Sequence, residues 1–108
     1  MNSTGVKQKV IRAADPVASP PILVRGQGGL GQYVRQARKR QQLRIDDAAS
    51  LFGVSVDLVS RLENGAGSVR LDKLQAVLDG LGLGLVVGPK SDLQSFVDRQ
   101  KASDDERV

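Results

Sequence analysis

A succession of short apolar stripes at helical spacing, most of them closed by glycine, constrains this chain more than any other feature. Leu30, Val34, Ala37 and Gln41 form the first, with Tyr33 flanking it and a basic opposite face. Ile45, Ala48, Ala49 and Phe52 form the second, stopped by Gly53. Ser55 is a good N-cap for a third, in which Leu58, Val59 and Leu62 face inward and Asn64-Gly65 ends the run. Leu71, Leu74, Val77, Leu78 and Leu81 form a fourth, ended by Gly80 and Gly82. Stripes this short bury their apolar sides only against one another, so the spacing predicts an all-α fold of four helices.

The flanks read differently. Residues 1–29 contain Pro16, Pro20, Pro21 and four glycines with no sustained periodicity, and read as a flexible N-terminal arm. Within it Ile22-Leu23-Val24 is either part of that arm or an edge strand offered to a partner. After the fourth stripe, Leu83, Leu85, Val86 and Val87 read as a short strand over 83–87, stopped by Gly88-Pro89. Ser91 followed three residues later by Gln94 matches a capping box, and Leu93, Phe96 and Val97 share a face behind it. That predicts a short C-terminal helix and then an acidic tail within 90–108. The domain proper spans 30–89. A core of that size with so few aromatics is marginal alone, so a homodimer is expected.

Composition narrows the chemistry. The 108 residues include no Cys and no His, which removes disulfides, thiolate zinc sites, a cysteine nucleophile and the commonest general base. No enzyme activity, cofactor, metal or small-molecule ligand is implied. No apolar run nears the length of a membrane span, and Ile22-Leu23-Val24 is too short for a signal-peptide core, so a cytoplasmic, nucleoid-associated protein is expected. The net charge is +4, and the basic side chains are densest at Arg35, Arg38, Lys39, Arg40 and Arg44. Such clustering suits either a polyanionic partner or a solvated helix face. Gly26 to Gly31 also spells G-x-G-x-x-G ahead of a helix. The polar, helical segment 38–44 and the lack of further βαβ units argue against a dinucleotide site, leaving a glycine linker entering the first helix.

Residues 45–64 carry the sharper signal. Two short helices meeting at an angle need a small residue where their backbones approach, which Ala49 supplies. The turn needs a residue tolerant of positive φ, which Gly53 supplies four positions later. Ala48, Phe52, Val54, Val59 and Leu62 occupy the inward positions, and the first turn after Ser55 projects outward. That is the arrangement that seats a recognition helix in a DNA major groove.

Leu43 to Gly65, LRIDDAASLFGVSVDLVSRLENG, resembles the Xre family, the Cro and lambda-repressor type of helix-turn-helix, without a gap. The likeness runs through Leu71-Asp72-Lys73-Leu74 and covers about residues 30–81. A domain of this kind running straight into a short strand is further similar to HipB-type antitoxins. The resemblance implies a strand pairing across a homodimer, a pseudo-palindromic operator in double-stranded DNA, autoregulation of an operon, and a HipA-like kinase toxin as partner. Alternatives are an Xre-type repressor with no toxin and an interaction-only adaptor with a degenerate helix-turn-helix.

By family position, Val56, Asp57, Ser60, Arg61 and Asn64 face base edges, with Arg61 suited to guanine, Val56 to a thymine methyl and Asp57 to a cytosine amino group. Arg38, Lys39, Arg44, Ser55, Ser68 and Arg70 are the expected phosphate contacts. The family's usual Thr-Gln at the start of the second helix is Arg44-Ile45 here, and Arg70 stands where a Ser cap is usual. Asp46, Asp47 and Asp57 put carboxylates near the expected DNA face, although acids in a first helical turn also complement its dipole.

Overall fold

The computed structural model describes residues 19–107. Its elements in chain order are α1 (Gln27–Arg40), α2 (Ile45–Phe52), α3 (Val56–Asn64), α4 (Leu71–Leu81) and α5 (Lys90–Arg107). Each glycine expected to stop α2 or α3 adopts the left-handed conformation that a Cβ disfavours, at φ 72° for Gly53 and 66° for Gly65. Gly82 closes α4 in the same way at φ 76°. Gly80 does not. It lies inside α4 with the Phe52 ring packed where its side chain would be, so its smallness serves the α2–α4 contact rather than a helix end.

The core forms where the stripes meet. Val34 and Ala37 of α1, Leu58 and Leu62 of α3, and Val77, Leu78 and Leu81 of α4 make one buried cluster. Phe52, Val54, Leu74 and Leu83 pack on its margin. Ala48 and Ala49 of α2 are buried, as the helix crossing requires. Leu71, assigned inward from its spacing, is exposed, because it opens α4 before that helix reaches the core.

Several boundaries differ from the reading of the sequence. Helix α1 begins at Gln27, so the glycines at 28, 29 and 31 are helical, and the 29/30 limit falls within α1. Of the arm, residues 1–18 lie outside the described residues, while 19–25 run extended along the domain. Tyr33 Oη donates to the carbonyl oxygens of Ser19 and Pro20, each at 3.0 Å, and burial raises its phenol pKa. Arg25 Nη2 donates to Gln94 Oε1 at 2.6 Å, joining this strap to α5. Helix α5 is 18 residues long and takes in most of the stretch expected as a tail.

The strand expected over 83–87 is not formed, and there is no strand among the described residues. Leu83 N–H closes the α4 cap on Leu78 O at 2.8 Å, after which the chain runs extended to Pro89. A ladder needs a second edge, and one copy presents none to this segment. Leu83 is half-buried, whereas Val86 and Val87 are 76% and 90% exposed.

Candidate nucleic-acid interface

Helix α3 is the best-defined surface element. Ser55 Oγ accepts the Leu58 N–H at 3.0 Å, satisfying one of the donors a helix N-terminus leaves open. This fixes where α3 starts and turns Val56, Asp57, Ser60, Arg61 and Asn64 to one side, away from buried Leu58, Val59 and Leu62. Val56 is 44% exposed, enough for an apolar contact in a groove. Asn64 Nδ2 donates to the Ser60 carbonyl at 2.9 Å, so Ser60 and Asn64 form one polar patch.

Two contacts hold α3 in place against α1. The α1 backbone at Gly31 lies so close that a Cβ there would collide with the carbonyl oxygens of Leu62 and Glu63. Below that, Arg38 Nε and Nη2 donate to Glu63 Oε2 and Oε1 at 2.6 and 2.9 Å, a bidentate pair. Arg38 Nη1 donates to the Leu43 carbonyl at 2.8 Å, tying in the turn before α2. With 8% of Arg38 and 5% of Glu63 exposed, this is a buried ion pair. Its hydrogen bonds to Glu63 raise the arginine pKa, and the guanidinium stays charged. Arg38, expected at a phosphate, directs Nε, Nη1 and Nη2 to Glu63 and Leu43 within the chain, with its charge balanced by Glu63.

The other expected site residues keep to the surface. Lys39, Arg44, Ser55, Ser68 and Arg70 are exposed, and Arg61 is half-buried. Arg61 Nε donates to Asp57 Oδ2 at 2.9 Å and Nη1 to the Ser68 carbonyl at 2.7 Å, so Arg61 braces the loop after α3 as well as lying on its outer face. A cleft of about 550 Å³ opens between α1, α2 and α3, walled by Arg35, Arg44, Ser60 and Asn64 with the Arg38–Glu63 pair in its lining. Arg35 was not among the expected contacts. Its spacing of three from Arg38 puts both on one side of α1, the signal that would have found it. The structure brings Arg44, Ser60 and Asn64 together around one opening, whose lining includes neither Ser68 nor Arg70.

The model of a family described as helix-turn-helix domain matches residues 29–87, more than half of the chain. The chain belongs to this Xre-like family of helix-turn-helix domains. The match spans α2, the Gly53 turn and α3 and reaches from the middle of the Gly-rich start of α1 to the extended segment after α4. The helix-turn-helix domain is a DNA-binding fold. No curated protein gives a match to the chain. No helix among the described residues is long and apolar enough to cross a membrane.

Proposed function

We propose that this chain is a sequence-specific, non-enzymatic DNA-binding repressor that works as a homodimer. The observation that carries the reading is the outward face of α3, capped at Ser55 and held against α1 at Gly31 and Glu63, beside a cleft bordered by Arg35 and Arg44. In the major groove, Val56, Asp57, Ser60, Arg61 and Asn64 meet base edges while Lys39, Arg44, Ser55, Ser68 and Arg70 meet phosphates. Paired half-sites then lie about 10–10.5 bp apart or a multiple of that. Fluorescence anisotropy with the duplex directly upstream of the reading frame, against a scrambled duplex, tests the reading. A preference of roughly a thousandfold that falls by at least tenfold in Arg61→Ala is expected. Equal, weak and steeply salt-dependent binding to both duplexes would remove sequence recognition from the proposal.

The finer reading, an antitoxin resembling the HipB type, draws support from the exposed apolar segment Leu85-Val86-Val87 that follows the domain. Pairing of that segment across two copies supplies the second edge a single copy lacks and buries apolar surface the small core needs. A HipA-like kinase toxin is the partner this reading names. Light scattering of the chain alone and mixed with a kinase encoded beside it is expected to give first a dimer and then a larger complex. A dimer unaffected by the kinase would leave the repressor standing without its toxin, and a monomer would overturn the homodimer as well.

A further inference from the structure

Nearly every arginine of the candidate DNA face is paired with a carboxylate of its own chain. Arg44 Nε lies 3.3 Å from Asp46 Oδ1, and Arg70 Nη2 lies 3.0 Å from Asp72 Oδ2. Arg61 Nε lies 2.9 Å from Asp57 Oδ2 one turn earlier in α3. Two of these pairs repeat a single pattern, Arg as N-cap residue and Asp two positions on, at the starts of α2 and α4. In each, the same Asp also accepts the next backbone N–H through Oδ1, at 3.0 Å from Asp47 and 2.9 Å from Lys73. The carboxylate is therefore anchored to the helix start, and the arginine is held by it. Among the described residues no carboxylate pairs with Arg35, which is exposed at the cleft.

We infer that Asp46, Asp57 and Asp72 are specificity-determining residues that suppress sequence-independent DNA binding by occupying Arg44, Arg61 and Arg70. A free guanidinium on this face gains affinity from any phosphate by releasing counterions, whatever the sequence. A guanidinium already neutralised by a neighbouring carboxylate gains much less, because that carboxylate is repelled by the same phosphate. At Arg61 the pairing adds direction: Asp57 takes Nε and Ser68 takes Nη1, which sets the plane in which the remaining guanidinium donors meet a base edge. These acids, unfavourable for bare affinity, thus leave discrimination to geometry rather than charge. The inference rests on the DNA-binding reading above.

The test uses the full-length chain and one mixed-sequence 20-bp duplex, with affinity measured from 50 to 300 mM NaCl for wild type, D46N/D72N and D79N. Asn keeps the oxygen that accepts the next backbone N–H, so the double variant retains those two hydrogen bonds. Among the described residues no arginine pairs with Asp79, an exposed α4 residue, so D79N controls for the loss of one carboxylate charge. The double variant is expected to bind this duplex at least fivefold tighter at 100 mM salt, with a salt slope steeper by about 0.9 for each arginine released. D79N is expected to stay within twofold of wild type. A double variant that matches wild type in affinity and slope, or a D79N that matches the double variant, overturns the inference while leaving DNA binding intact. Absence of binding by all three proteins at 50 mM salt overturns the DNA-binding reading itself and this inference with it.

Discussion

Gly31→Ala lowers the melting temperature of this protein, whereas Gly28→Ala, three residues earlier in the same helix, leaves it unchanged or raises it. Helix propensity alone predicts stabilisation at both sites, since alanine is favoured over glycine inside a helix by about 1 kcal/mol. At Gly28 nothing lies within 4 Å of a new Cβ, so only that gain operates, weakened by the position in the first turn. At Gly31 the new methyl meets the carbonyl oxygens of Leu62 and Glu63, the latter at 2.6 Å. These are backbone atoms at the end of α3 and do not swing aside as a side chain would. The helices must part, and overpacking of this kind costs about 1–3 kcal/mol or more. A net loss of about 2 kcal/mol lowers the midpoint by roughly 8–16 °C in a domain of this size. Thermal melts followed by circular dichroism decide the matter. A Gly31→Ala variant melting at or above wild type would mean that α1 and α3 are not in backbone contact.

Glu63→Ala is expected to be more damaging still. It leaves the Arg38 guanidinium buried beside Leu43 without its carboxylate, and breaking a buried pair from one side costs about 3–5 kcal/mol. That rivals the total stability of many small domains. Arg38→Met combined with Glu63→Leu removes both charges and fills the space, and replacements of this kind are often neutral or stabilising. The double variant is therefore expected to be far more stable than Glu63→Ala in urea titration. The alternative outcome, a Glu63→Ala variant within about 0.5 kcal/mol of wild type, would show that water reaches the pair and screens it, as at exposed ion pairs. The burial of both side chains argues for the larger effect.

What was legible in the sequence was local. The stripes, the Ser55 cap and the glycines at 53, 65 and 82 each depend on residues within one or two turns, and the structure has them where the spacing puts them. What was missed depends on residues far apart. Arg38 and Glu63 are 25 positions apart, and nothing in either neighbourhood signals the pairing, so charge alone made Arg38 a phosphate contact. Gly31 stood in a run that reads as a linker, and its function exists only once α3 lies against α1. Leu83, Leu85 and Val87 alternate as a strand should, but alternation is silent about whether a second edge is present. The polar stretch after Lys101 lacks an apolar stripe, yet it continues α5, in which Gln94 Nε2 donates to Asp98 one turn on. Among the residues expected to face bases, the outward side of α3 was legible from its period, while the bond from Arg61 to the Ser68 carbonyl was not.

The strap before α1 and helix α5 share a groove of about 350 Å³ that contains no residue of α2 or α3. The strap and the start of α5 thus border one another, tied by Arg25 and Gln94, away from α2 and α3. A substitution in the strap therefore alters the surroundings of the start of α5 before it reaches α2 or α3.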